Sequence, residues 1–203
     1  MGMASSRRYG MQGITLVTTS TKSNWRVYFA SSQSAVKWYA LGNIYQGETP
    51  TIDFSGNTGS EFVVIKSSQG LTVLDCDDSQ LTALDITKNT SLTRLYCRSN
   101  QLTALDVSKN TGLTRLYCRF NQLTALDVSK NTSLTSLGCY NNQLTVLDVS
   151  KNTGLTNLYC KSNPNLATIY VNQNQLDILN GVIAKPQYWD WRKDPTATYV
   201  LKQ

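Results

Sequence analysis

The sequence predicts a mainly β protein, folded as one right-handed solenoid with a parallel sheet on its concave side, a β cap in front and an aromatic cap behind. Three observations support this fold class. A 21-residue phrase recurs five times between residues 71 and 175, five cysteines are spaced 21 residues apart, and leucines alternate with other residues inside each phrase. A fixed period of this length indicates stacked repeats, because one repeat cannot bury its apolar side alone.

The repeats are clearest when the chain is written in rows of 21 residues from Leu71. The first halves of the rows read LTVLDCDDSQ, LTRLYCRSNQ, LTRLYCRFNQ, LTSLGCYNNQ and LTNLYCKSNP. They follow the phrase L-x-x-L-x-L-x-x-N-x-L, with cysteine at the third apolar position. The first row has Ser79 in place of asparagine, and Leu166 of the last row comes one place late. Four second halves repeat the pattern, as in Leu102, Leu105, Val107 and Asn110.

On these motifs the chain resembles bacterial leucine-rich-repeat proteins with short 21-residue coils and a small N-terminal β module. The resemblance is strong over residues 71–175 and weaker at both ends. It implies an extracellular or bacterial cell-surface location, although the chain shows no signal peptide.

Within each unit, the alternation of strand side chains sorts the residues into two faces. Leu95 and Cys97 are predicted to point inward, while Arg94, Tyr96 and Arg98 point outward. Equivalent strands of stacked units are expected to pair in parallel, about 4.8 Å apart. The asparagines at the ninth position are expected inside the turn, where they satisfy backbone groups that have no ladder partner. They are Asn100, Asn121 and Asn142.

The five regularly spaced cysteines are predicted to be reduced core residues. Zinc sites use clustered cysteine and histidine, and this chain has no histidine and no C-x-x-C motif. A nucleophilic thiol needs a nearby base, and in-register Cβ vectors lie side by side instead of pointing at each other as a disulfide requires. Cysteine is small and readily buried. The residues are Cys76, Cys97, Cys118, Cys139 and Cys160.

A second regular column is acidic, and stacked carboxylates repel one another. Its members are Asp85, Asp106, Asp127 and Asp148, each followed by a hydroxyl residue two places later and a lysine three places later. The lysines and the hydroxyls are the candidates that would offset the repulsion. Calcium is the alternative, since carboxylates bind it, but glycine-rich turns are absent from these units. We expect no metal and no cofactor.

The outward positions of the predicted concave strands vary between units, and function is expected there. Arginine and tyrosine concentrate in the middle units, next to an acidic edge at Asp75, Asp77 and Asp78. Both residue types are enriched at binding hot spots. Aromatic columns also stabilise sheets by stacking, so a purely structural interpretation stays open. Gly138 interrupts the tyrosine column. It either forms a notch in the surface or reflects a sequence change without a function. The predicted binding residues, here called the Arg/Tyr face, are Arg94, Tyr96, Arg98, Arg115, Tyr117, Arg119, Phe120, Tyr140, Tyr159 and Lys161.

Four regions are predicted along the chain. Residues 1–13 form a flexible tail, residues 14–70 a β module, residues 71–175 the five coils, and residues 176–203 a C-terminal cap. Short strands are expected at ITLVTT, WRVYFA, AVKWYA, TIDF and FVVI, the last as a half-coil because Val63 and Ile65 precede Leu84 and Ile86 by one period. QLDILNGVIA is a candidate short helix. YWDW is expected to cover the last coil, with a sugar-binding platform as the alternative.

Composition and charge indicate which classes of function are not expected. The net charge of +6 is spread along the chain without a dense basic block, so no nucleic-acid partner is expected. No histidine, phosphate loop or G-x-S-x-G turn is present, so no enzyme activity is expected. No apolar run is long enough to insert in a membrane. The sequence therefore favours a monomeric recognition module that binds a protein or glycan through the Arg/Tyr face. The alternative is a structural spacer or display unit of a bacterial surface protein without a ligand of its own.

Overall fold

The computed structural model describes residues 12–203, which form fifteen strands and one helix. The predicted tail therefore lies outside the described residues, except that residues 12 and 13 already belong to the first strand. The strands are β1 Gln12–Thr18, β2 Phe29–Ser32, β3 Val36–Ala40, β4 Asn43–Gln46, β5 Glu61–Ser67, β6 Leu71–Asp75, β7 Leu81–Asp85, β8 Arg94–Tyr96, β9 Arg115–Tyr117, β10 Ser136–Gly138, β11 Val146–Asp148, β12 Asn157–Tyr159, β13 Thr168–Val171, β14 Asp190–Arg192 and β15 Thr198–Leu201. Helix α1 spans Gln173–Leu179 and lies between β13 and β14.

A seven-stranded sheet carries the first halves of the repeats, in the order β14-β12-β10-β9-β8-β6-β2. All neighbours from β6 to β14 run parallel, and β2 closes one edge antiparallel to β6. The register follows the period, since Leu95 pairs with Leu116 and Leu116 with Leu137. The predicted 21-residue parallel pairing is thus confirmed for the repeat strands of this sheet.

The cysteines stack just beyond the ends of these strands, with their side chains buried. The ladder continues through them, because the Cys97 amide donates to the Tyr117 carbonyl at 2.9 Å and the Cys118 amide to the Gly138 carbonyl at 2.8 Å. All five thiols are free. Burial raises the pKa of Cys118 and of Cys160 to about 12 and raises the pKa values of the other three well above the ordinary range.

On the inside of the turns, asparagine side chains form hydrogen bonds that connect consecutive units. Asn121 accepts a hydrogen bond from the Leu102 amide at 3.0 Å and donates to the carbonyls of Cys97 and Cys118 at 2.9 and 3.0 Å. The same pattern recurs at Asn100, Asn142 and Asn163. The predicted role of the ninth position is therefore confirmed. Carboxamides replace the ladder bonds that the sharp turn removes from the backbone.

The N-terminal module does not contain the predicted half-coil. Strand β1 lies between β5 and β7 and pairs antiparallel with both, in the sheet β4-β3-β5-β1-β7. The prediction was wrong because Val63 and Ile65 of β5 lie one period before Leu84 and Ile86 in the sequence only. In the structure, β5 does not stack on β7, since β1 lies between them. The segment TIDF forms only an isolated bridge, in which Ile52 pairs with Trp25, and β4 was not predicted.

The C-terminal region extends the stack instead of only covering it. Strand β14 adds to the seven-stranded sheet, and β15 adds in parallel to a second sheet of order β11-β13-β15. Helix α1 starts two residues before the predicted end of the coils, capped by Asn172 and Gln175 in a reciprocal pair of hydrogen bonds. The helix predicted at QLDILNGVIA is thus present in the first half of that segment only, since α1 ends at Leu179. Trp191 packs on the core, which runs as one cluster from Ile14 to Ala197.

Candidate binding face

The Arg/Tyr face surrounds a shallow depression of about 340 Å³ on the outer side of the seven-stranded sheet. Six of the ten predicted residues line it, and Arg94, Arg115, Phe120 and Lys161 do not. The sheet brings these side chains together because equivalent outward positions lie on neighbouring strands, as in the pairs Arg94–Arg115 and Tyr96–Tyr117. The lining of this central depression is Asp75, Asp77, Tyr96, Arg98, Tyr117, Arg119, Gly138, Tyr140 and Tyr159.

At the acidic end, Asp77 is buried although the strand pattern predicted it to face outward with Asp75. Its carboxylate forms a salt bridge with Arg98 and accepts the Arg98 amide at 2.6 Å. Burial, reinforced by the charge of Asp75, raises the pKa of Asp77 to about 6 in spite of these contacts with Arg98. Arg98 is therefore a residue whose charge already has a buried partner.

Tyrosine rings occupy the middle of the depression. The rings of Tyr96 and Tyr117 lie 5.4 Å apart, and the Tyr117 hydroxyl is 2.7 Å from the Ser136 hydroxyl. Tyr117 leans over Gly138, since a Cβ added there would lie 2.8 Å from Cδ1 of the ring. Gly138 thus forms a notch that the neighbouring ring fills.

Next to these tyrosines, Arg119, Phe120 and Tyr140 form a second cluster of side chains. The Arg119 guanidinium lies 5.1 Å from the centre of the Tyr140 ring, which the Phe120 ring meets edge-on at 5.2 Å. Nε of Arg119 is shielded from solvent and has no hydrogen-bond partner among the described residues. Phe120 has a φ of +55° and is 47% exposed, whereas the equivalent positions carry Asp, Ser or Asn. An aromatic residue in the left-handed region is uncommon and costly.

Two further residues, which the repeat pattern did not predict, contact Tyr159 in the lining of the depression. The Tyr159 hydroxyl donates to Asp190 at 3.1 Å, and the Arg192 guanidinium lies 5.4 Å from the Tyr159 ring while pairing with Asp190 at 2.8 Å. Partial burial, followed by the hydrogen bond to Asp190, raises the pKa of Tyr159. Asp190 and Arg192 lie outside the 21-residue period, and only the polar–Trp–polar alternation of DWR signals their strand.

No protein-family model matches the chain, and no curated protein matches it. Among solved structures, it is similar to one described as the functional domain of InlJ from Listeria monocytogenes, which includes a cysteine ladder. The identity is 37% and the TM-score 0.40, over 53% of this chain and 32% of the other. The match thus spans about a third of the solved chain's length.

The acidic column, away from the Arg/Tyr face, is compensated locally. Asp106, Asp127 and Asp148 each accept a hydrogen bond from the amide two residues later, at 2.8 to 3.0 Å. Hydrogen bonds from Ser108 lower the pKa of Asp106, and those from Ser129 lower that of Asp127. The turn itself therefore stabilises each charge. Among residues 12–203, no group of three or more metal-ligating side chains forms a cluster, and no helix is long and apolar enough to cross a membrane.

We expect Gly138→Ala to destabilise the protein by about 1–3 kcal/mol, because the added methyl group displaces the Tyr117 ring from its position over residue 138. The displaced ring also loses its hydrogen bond to Ser136. Urea unfolding measures the effect. Gly154→Ala is the control, because a Cβ there would lie 3.9 Å from its nearest neighbour, the Leu134 carbonyl oxygen. Equal losses for the two variants would show that the ring does not occupy the notch.

Replacing Phe120 separates backbone strain from ring contact. Phe120→Ala and Phe120→Asn both remove the contact with Tyr140, but asparagine adopts positive φ more readily. We therefore expect Phe120→Asn to be more stable than Phe120→Ala by about 0.5–1 kcal/mol. Urea unfolding of both variants measures this difference. Identical stabilities would mean that the left-handed conformation at residue 120 carries no strain.

Proposed function

We propose that this protein is a non-enzymatic recognition module that binds a negatively charged protein or glycan through the Arg/Tyr face. The observation that carries the proposal is the register of Arg94 and Arg115. These exposed arginines are direct neighbours on adjacent strands. Neither forms an ion pair with any residue in the range 12–203. Like charges directly opposite each other on a sheet are destabilising.

The contrast with the acidic column favours recognition over a spacer. Both columns place like charges on adjacent units, at Arg94 and Arg115 in one and along the whole acidic column in the other. Only the carboxylates receive hydrogen bonds from their own turns. A spacer that only had to stay folded and dissolved would have no use for uncompensated neighbouring arginines. Arginine presents a planar fork of donors that matches carboxylate, sulfate and phosphate groups.

The proposed architecture is a right-handed leucine-rich-repeat solenoid of the bacterial cell-surface type, monomeric and without a metal or cofactor. The repeated phrase, the parallel pairing at 21-residue spacing and the interior asparagines support it. The location outside the cell rests on the resemblance of the repeat phrase to secreted and surface proteins.

At the acidic end, the carboxylate of Asp77 is not free to act in hydrolysis, which supports a non-enzymatic role. A general acid and a general base must both reach the substrate, yet Asp77 is buried and held by Arg98. A hydrolase activity that disappears in Asp75→Asn would overturn this part of the proposal. Asp75 and Asp77 would also repel the phosphates of a nucleic acid.

The test is a display of bacterial and host glycans and surface proteins, probed with the native protein and with Arg94→Ser/Arg115→Ser. Serine is the residue that the chain itself places in the same column, at Ser136. Tyr117 is unsuitable for removal, because it packs over Gly138 and binds Ser136. Lys109→Ser/Lys130→Ser, which removes the same charge from the acidic column, is the control. We expect the arginine variant to lose binding and the lysine variant to keep it. A ligand that binds both variants equally would exclude this face.

A further inference from the structure

We infer that the cluster of Arg119, Phe120 and Tyr140 is a subsite for a sugar that carries one carboxylate. The inference rests on the proposed function and specifies the class of ligand. Three features of the cluster lead to it: an unpaired cation, an exposed aromatic ring held at an unfavourable backbone angle, and carboxylates at the opposite end of the same depression.

Arg119 is a cation without a counter-charge in the part of the chain that the structure describes. Its neighbour in the same column, Arg98, has Asp77 one strand earlier, but the residue one strand before Arg119 is Arg98 itself. The Tyr140 ring covers the guanidinium without offering it an acceptor, and Nε stays without a hydrogen bond. A desolvated charged donor is costly when it is unpaired, so the site favours a ligand that supplies an anionic acceptor.

Phe120 supplies an apolar surface next to that donor. Its ring is half exposed, and its backbone conformation is one that small polar residues fill in the other units. Strain of this kind persists where the surrounding structure enforces it, and it concentrates at binding sites. Together with Tyr140 it offers aromatic surface on which the C–H face of a sugar ring packs.

The other end of the depression limits how many charges the ligand carries. Asp75 and Asp77 line it, and Tyr96 and Tyr117 follow Asp75 on the next two strands. Arg98, which is paired with Asp77, comes one unit before Arg119. A dense polyanion would be repelled by the Asp75 carboxylate. Sugar hydroxyl groups, by contrast, donate well to a carboxylate and exchange hydrogen bonds with phenols. The mixed lining therefore fits one acidic group beside several hydroxyls.

The volume of the depression also favours a small ligand. A volume of about 340 Å³ lies at the lower end of the roughly 300–1,000 Å³ of small-ligand sites. A folded protein partner would instead need about 800 Å² of contact on each side, with apolar anchors. One or two sugar residues match the depression better than a protein surface does.

The experiment uses the methyl glycosides of glucuronic acid and galacturonic acid, with methyl glucoside and methyl galactoside as their neutral partners. Glucuronide and glucoside differ only at C6, where a carboxylate replaces a hydroxymethyl group. Chemical-shift titration of the full chain at low salt measures binding. We expect at least one acidic glycoside to bind about tenfold or more tightly than its neutral partner, the range of one charged hydrogen bond.

Variants of the native protein locate the contact. Arg119→Gln should abolish the preference for the acidic sugar, and Arg119→Lys should restore only part of it, because lysine keeps the charge but not the planar fork. Lys109→Gln removes the same charge elsewhere and should change nothing. Phe120→Asn should weaken acidic and neutral sugars alike.

Three results would overturn the inference. One is equal binding of acidic and neutral glycosides, and another is an acid preference that survives Arg119→Gln. The third is failure of every acidic glycoside while an acidic peptide or protein binds the same face. This last result would leave the proposed function intact and exclude only the sugar. Absence of any ligand that depends on Arg94 and Arg115 would remove both.

Discussion

Asn121→Ala should be the most destabilising of the substitutions considered for this protein, at about 3–4 kcal/mol. The carboxamide of Asn121 is the acceptor that the structure gives the buried Leu102 amide, and it also donates to two carbonyls. Those carbonyls, of Cys97 and Cys118, keep hydrogen bonds from Asn100 and Asn142. The loss therefore comes mainly from one orphaned amide, together with the two broken bonds and the space left behind.

Asn131→Ala is the matched comparison for this prediction. Asn131 is buried more completely than Asn121 and donates to the Val107 and Asn110 carbonyls, but its Oδ1 has no partner among the described residues. Its removal orphans no amide, so we expect a loss of only about 1–2 kcal/mol. Gln122→Ala, at an exposed position, should be nearly neutral. Equal losses at residues 121 and 131, measured by urea unfolding, would contradict the assigned role of the turn asparagines.

The native protein should react with a thiol reagent roughly a thousandfold more slowly than the unfolded protein. Each cysteine is enclosed by the units before and after it, and the reactive thiolate is disfavoured by burial. Labelling then requires opening of the stack, and a stability of about 5 kcal/mol keeps the open form below about one part in a thousand.

Mass spectrometry of the labelled protein checks this expectation. Unfolded protein should gain five labels, since all five thiols are free. The labels should appear nearly together in the native protein if the stack opens as one unit. Rapid labelling of Cys97, Cys118 or Cys139 without denaturant would contradict the packing of the units. If the mass of the unlabelled protein were lower by two hydrogen atoms for each pair of cysteines, disulfides would be present instead.

The sequence specified the stacked part of the fold because each local rule repeats without conflict there. Leucine and cysteine at alternating positions determine which side of β8 and β9 is buried, and the asparagine at the ninth position completes the turn. The ends were harder to predict. Strand β1 pairs with β7, far along the chain, and no periodicity signals that pairing.

One feature of the C-terminal end followed the repeat logic although the period was lost. Gln175 donates to the Val149 and Asn152 carbonyls, the bonds that Asn152 makes to Val128 and Asn131 one unit earlier. Its longer side chain reaches the same groups from the first turn of α1. The hydrogen bonds are the same as in the unit before, but the residue type is different. The repeat pattern therefore does not reveal this position.

The candidate site was predicted in outline but not in its charge balance. The outward columns brought six of the predicted residues into one depression. The burial of Asp77 against Arg98 could not be predicted from the strand alternation, because the strand ends at Asp75 and the chain turns at Asp77. Which arginine has a partner and which has none depends on that turn.

The unfolding free energy of Arg94→Ser/Arg115→Ser, measured at low and at high salt, tests most directly whether the arginines serve binding. If they do, removing the like-charged neighbours should leave the free protein as stable as before or stabilise it by roughly 0.5 kcal/mol at low salt. The difference should shrink near 1 M salt, where the screening length is about 3 Å. Lys109→Ser/Lys130→Ser, which removes charges that attract Asp106 and Asp127, should be slightly destabilising. A loss above about 1 kcal/mol at both salt concentrations would show that Arg94 and Arg115 hold the sheet together, and the recognition account would be wrong.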